Sequence, residues 1–111
     1  MVKREVAWTK NAEIQLREIL DFYTLRTKSG QYSQKLYRKF KSELNIATQN
    51  PEIGINTKLN RIKGLIMDDY ILFYEILEDK ILVLKVWDSK QDPEKLNIAR
   101  EVANKTSSYT L

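Results

Sequence analysis

The chain has no cysteine and no histidine among its 111 residues, and only three glycines and two prolines. Without cysteine there is no disulfide and no thiolate nucleophile, a composition compatible with a reducing compartment. Without histidine, the usual zinc site, the Ser–His pair and any imidazole acid or base near neutrality are excluded. Gly30, Gly54 and Gly64 stand too far apart to build a phosphate-cradling loop, and neither a GxSxG motif nor a metal-ligand cluster occurs. No apolar run approaches the ~20 residues of a membrane span. The first residues lead into a strand pattern rather than a signal-peptide core. The expectation is a single soluble, cytoplasmic domain over 1–111, without metal or cofactor and with no membrane partner, large enough to fold on one core.

Charge is present in quantity but is unevenly placed. The net charge is +4. Between Arg26 and Lys63 nine basic residues face two acidic ones, Glu43 and Glu52, whereas residues 64–111 carry more acid than base. A basic block on an otherwise balanced domain points to a polyanion or an acidic protein partner; a lysine-rich solvated helix face is the structural alternative.

The strongest pattern is a hairpin. Tyr70–Leu77 and Ile81–Trp87 are two runs rich in β-branched and aromatic residues, split by Glu78, Asp79 and Lys80. Both are nearly continuously apolar, which predicts central antiparallel strands with most side chains in the core. Upstream, Glu5–Trp8 reads as a short strand and Thr9 as a helix N-cap. Ala12, Leu16, Ile19, Leu20 and Tyr23 then form a helical stripe. A second helix places Leu36, Tyr37, Phe40, Leu44 and Ala47 on one side and Lys35, Arg38, Lys39 and Ser42 on the other, before Asn50-Pro51 stops it. Glu52–Thr57 reads as a loop, Lys58–Lys63 as a weaker strand and Gly64 as a break or bulge. After Trp87, Asp92 and Pro93 suit the start of a terminal helix carrying Leu96, Ala99, Val102 and Ala103, with 104–111 frayed. The fold class is α+β: a strand, an antiparallel helical hairpin, a three-strand antiparallel meander and a C-terminal helix. The core spans about 5–96, the helix and tail 93–111.

No catalytic motif stands out. Asp68 and Asp69 fit a solvated turn better than an acid/base pair. Lys58, Arg61 and Lys63 lie on or beside the weaker strand, where Arg61 and Lys63 share a face if that strand is regular. They are suited to gripping phosphates or, in the plainer reading, to guarding an edge strand against aggregation. Trp8 and Trp87 end strands and fit core or rim packing; Tyr70 and Tyr74 alternate onto one face with Leu72, which favours core.

Trp8-Thr9 followed by Ala12, the turn Asn50-Pro51-Glu52-Ile53-Gly54, and the strands Tyr70–Tyr74 and Ile81–Trp87 together resemble the RelE/ParE superfamily of type II toxin–antitoxin toxins, over about Val6 to Leu96. The resemblance implies a small basic toxin neutralised by a cognate antitoxin. It also implies one of two targets: messenger RNA cut in the ribosomal A site, or DNA gyrase. Lys58, Arg61 and Lys63 match the basic residues of the ribonuclease branch, and the low-ranking catalytic candidates are Arg61, Lys63 and Lys90. Two positions differ. The residue after Tyr70, often arginine in the family, is Ile71. The exit of the last strand, where His, Arg or Tyr usually supplies the acid or base, reads Trp87-Asp88-Ser89-Lys90, leaving Lys90 or Asp88 with unperturbed pKa values far from neutrality. The chain is thereby closer to the branch without the ribonuclease site. The expected target-binding set is Lys58, Arg61, Lys63 and Lys90, with Lys35, Arg38 and Lys39. The alternatives are a ribosome-dependent endoribonuclease and a toxin-derived binding module that has lost its poison.

Overall fold

The fold was read from a computed structural model that describes residues 4–91 together with Leu96, Val102, Tyr109 and Thr110. The chain runs through β1 (Glu5–Thr9), α1 (Lys10–Thr27), α2 (Gln31–Gln49), a 3-10 turn (Pro51–Ile53), β2 (Ile55–Asn56), β3 (Ile62–Met67), β4 (Tyr70–Ile76), β5 (Lys80–Asp88) and β6 (Tyr109–Thr110). The strands form one sheet in the order β2-β3-β4-β5-β1-β6. β3, β4 and β5 make the expected antiparallel meander, with a register shift between Phe73 and Tyr74. β1 returns beside β5 in parallel, Trp8 opposite Val83.

Both helices lie on one face of the sheet. Leu16, Leu36, Phe40 and Leu44 pack there against Leu65, Leu72, Tyr74 and Val83, all buried. Thr9 marks the turn from β1 into α1: its Oγ1 accepts from the Ala12 amide at 3.1 Å and donates to the Leu84 carbonyl at 3.3 Å. α1 ends on Lys28 in the left-handed region, φ 55°. The opposite sheet face holds a smaller cluster of Ala7, Ile62, Leu82 and Leu84, against which Leu59, Leu77 and Val102 pack.

Four expectations need correction. The weak strand predicted over Lys58–Lys63 is displaced: residues 58–61 form a turn, Arg61 at φ 71°, and the strand is Ile62–Met67. Gly64 is no break but sits inside that strand, because a Cβ there would press on Ile71, Ile55 and Phe73 at 3.1–3.3 Å. The segment read as a loop, Glu52–Thr57, contains β2, a two-residue strand paired with Lys63 and Gly64. The tail read as frayed includes β6, which pairs with the otherwise open outer edge of β1. The predicted C-terminal helix from Pro93 lies outside the described residues, except that Leu96 is not helical and Val102 is.

Candidate functional site

The basic residues singled out from the sequence do not converge. Lys58 and Arg61 are exposed in the turn before β3, at the end of the sheet where the Arg61 carbonyl accepts the Ile76 amide at 2.9 Å. Lys90 is at the other end, after β5; the seven residues of β4, roughly 20 Å, lie between the two. Lys63 pairs across from Tyr74 and therefore points to the helix-side face. Its ammonium binds Glu52 at 2.9 Å and the side chain of Asn56, and only 14% of its side chain is exposed. Arg61 and Lys63 thus do not share a strand face, because Arg61 is not on the strand. Lys39 on α2 is bound to Asp68 by both carboxylate oxygens, at 2.7 and 2.9 Å, and this hydrogen bond raises its pKa although the side chain is half exposed. Lys90 stands 3.4 Å from Asp69. Lys35 and Arg38 are exposed on α2, Arg38 donating to the Gln34 carbonyl at 3.3 Å.

The position that departs from the resembled family has a distinct environment. Ile71 pairs with Ile66 on β3 and Trp87 on β5. Gly64 and Phe73 flank it, and Ile55 on β2 touches the same hollow. This row lies on the face away from the helices and is apolar across four strands. Ile66 is 60% and Ile55 49% exposed. The cation that approaches it is Lys85, opposite Phe73 and 5.7 Å over the Trp87 ring.

The exit of β5 is tied down. Ser89 donates both its amide and its hydroxyl to the Asp69 carbonyl at 2.8 Å, and the Asp88 carboxylate accepts the Lys90 amide at 2.9 Å. These bonds fix a turn; they leave no activated nucleophile. The nearest phenol, Tyr70, is buried and donates to the Tyr23 hydroxyl at 3.2 Å. Burial first, and that hydrogen bond second, push its pKa well above the usual tyrosine value, so it remains protonated at neutral pH and is a poor acid/base group. Tyr74 is likewise raised, chiefly by burial.

Between the second half of α1 and the end of β5 lies an open cleft of about 850 Å³. It exists because β1 stops pairing at Val83, so the outer edge of β5 continues without a strand partner and the Val86 amide is capped instead by the Gln15 side chain at 2.9 Å. Phe22, Arg26, Lys85, Trp87 and Lys90 are among its lining residues. None but Lys90 was singled out as a site residue from the sequence. A lone lysine interrupting an apolar strand, Lys85, is the one signal that could have pointed to it. α1 and β5 are too far apart in the chain for any local pattern to reveal the rest.

Among curated proteins, none matches the sequence. The family model described as ParE toxin of type II toxin-antitoxin system, parDE, matches residues 6–93. Among solved structures, a chain from "Chromosomal ParDE TA system from P. aeruginosa" superposes with a TM-score of 0.67 at 15% identity, covering 79% of this chain and 98% of its own. That likeness concerns the fold.

Proposed function

The chain belongs to the ParE toxin family of type II toxin–antitoxin systems, and from that premise we propose that it acts on a protein target, with DNA gyrase the leading candidate, rather than by cutting messenger RNA. It is the toxin component, and the family implies a cognate antitoxin. The observation that carries the proposal is the row Gly64, Ile66, Ile71, Phe73 and Trp87. Cleavage of RNA needs cations to stabilise the developing phosphorane and an acid/base pair that works near neutrality. At Ile71, where the resembled ribonucleases often have arginine, the sheet face is hydrocarbon. Lys63 is turned to the opposite face and engaged with Glu52. The exposed part of this face, Ile66 with Ile55 beside it, suits protein contact better than a phosphodiester. Lys58 and Arg61, exposed at one end of the sheet, are the first candidates for target contact. Lys35, Arg38, Lys39, Lys63 and Lys90 rank below them, the last three being engaged in ion pairs.

Induction in growing cells tests this. Double-strand DNA breaks and filamentation are expected, with no new discrete messenger RNA ends by primer extension. Discrete ends would establish the ribonuclease alternative, and harmless expression without a partner would establish the inactive binding module. Arg61→Ala is expected to weaken toxicity. If growth arrest is unchanged, target contact does not run through Arg61.

A further inference from the structure

We infer that the outer face of α2, with the tip of the helical hairpin, is a contact surface for the backbone of duplex DNA. The inference deepens the gyrase reading above, since an enzyme that acts on duplex DNA holds that polyanion beside its own surface. The first observation is in the sequence. From Phe22 to Ser42 there are six basic residues, Arg26, Lys28, Lys35, Arg38, Lys39 and Lys41, and no acidic one. Asp21 and Glu43 bracket the stretch.

The fold turns that stretch into a surface. Leu36, Phe40, Leu44 and Ala47 are buried, which directs the opposite side of α2 to solvent. Gln31, Lys35, Arg38, Lys39 and Ser42 fall there at helical spacing, and all are exposed. From Lys35 to Ser42 the strip is about 10 Å long. Lys28 adds an exposed cation at the hairpin tip, where its left-handed backbone ends α1. Lys39 is held by Asp68, and the charge of Glu43 also bears on it. Lys28, Lys35 and Arg38 enter no ion pair among the described residues. The contact therefore centres on these three.

The form of the surface selects the partner. A membrane-surface helix needs an apolar face beneath its cations, and the apolar side of α2 is committed to the core. A protein interface is organised around aromatic or aliphatic anchors seated in pockets, and this convex strip offers glutamine, lysine, arginine and serine. Phosphate oxygens require no anchor, and these are side chains that bind them. A helix ridge about 10–12 Å across settles at the mouth of the B-DNA major groove, roughly 12 Å wide, with its cations toward the phosphate rims. The major groove of an RNA helix is too narrow for that approach. Contacts to phosphates carry no base readout, so the binding is independent of sequence.

Fluorescence anisotropy of a short labelled DNA duplex of arbitrary sequence, titrated with the full chain, tests this. Three neutralised phosphates predict that Kd rises about 40-fold between roughly 50 and 200 mM salt. Lys35→Ala combined with Arg38→Ala, on an exposed helix face that alanine suits, is expected to weaken binding at least about tenfold at the lower salt. The salt effect should then shrink to about 3–4-fold. Lys10→Ala, at the opposite end of α1, is expected to leave Kd within about twofold. Circular dichroism confirms folding, and the paired glutamine substitutions replace the alanine pair if it is unfolded. Equal weakening by Lys10→Ala and by the double variant means attraction by net charge alone and overturns the assignment. So does tighter binding to an RNA duplex of the same sequence, or binding to phosphatidylserine vesicles or polyglutamate with none to the DNA. If the unmodified chain fails to bind DNA while its induction still breaks DNA, the inference falls and the gyrase reading stands. If it binds DNA through Lys35 and Arg38 while induction yields discrete messenger RNA ends, the gyrase reading falls and the DNA contact stands.

Discussion

Tyr74 and Gly54 show how much depends on single residues beneath the helices. The Tyr74 hydroxyl donates to the Pro51 carbonyl at 2.7 Å and accepts the Gly54 amide at 3.1 Å, so one buried phenol fastens the 3-10 turn to β4. Tyr74→Phe leaves both backbone groups without that partner and is expected to cost about 1–3 kcal/mol in urea unfolding. Gly54 is needed for space rather than conformation: a Cβ there would lie 2.8 Å from Lys63 Cβ and from the Tyr74 hydroxyl, and 2.9 Å from the Gly64 carbonyl oxygen. Gly54→Ala is accordingly expected to destabilise by roughly 1–3 kcal/mol, with the same unfolding assay as the check. The motif Asn50-Pro51-Glu52-Ile53-Gly54 was legible as a turn, but its phenolic clasp was not, because Tyr74 reads in sequence as one more core aromatic. The tyrosines also set the pH response. Tyr70 and Tyr74 have folded pKa values above the unfolded value near 10, so the fold favours the protonated phenol. Their contribution is complete below about pH 10 and is lost as the pH rises through the folded pKa values. With no histidine to titrate, the urea midpoint is expected to be flat from about pH 6 to 7 and to fall in the alkaline range, less steeply in Tyr74→Phe.

At the scale of elements, the parts with strong periodicity were readable in sequence. The apolar stripes of α1 and α2, the β4–β5 hairpin and the Thr9 cap all occur where the pattern placed them. The cap does more than the pattern implied. Because Thr9 Oγ1 serves both the Ala12 amide and the Leu84 carbonyl, it joins strand, helix and neighbouring strand. Thr9→Ala is therefore expected at the upper end of the usual capping range, about 2 kcal/mol, measured by chemical denaturation. What went unread has physical causes. Residues 58–67 lack clean alternation, and Gly64 resembles a break until the cross-strand crowding of Ile55, Ile71 and Phe73 is seen. The candidate site was half legible. Ile71 signalled a missing arginine, but the hydrocarbon row around it is made by register between strands, and the cleft by an edge that β1 leaves uncovered. The segment order carried neither.

For the whole molecule, the sheet is closed by its two ends. β6 pairs with the outer edge of β1, Thr110 opposite Trp8 and Tyr109 opposite Thr9. Ending the chain at residue 105 is expected to speed amide hydrogen exchange at Trp8 and Thr9 while leaving β4 protected, as resolved by mass spectrometry or NMR. The parallel partnership of β1 and β5 has a further consequence, one of timing. β1 is the first strand to be synthesised, yet its partner residue for Trp8 is Val83. At about 5–20 residues per second, the ribosome needs roughly 4–15 s to span that interval. Until then the first strand has no neighbour, α1 has no finished sheet to rest on, and the α1–β5 cleft has only one wall. A nascent chain of this topology therefore cannot finish the sheet beneath its helices until β5 has been made.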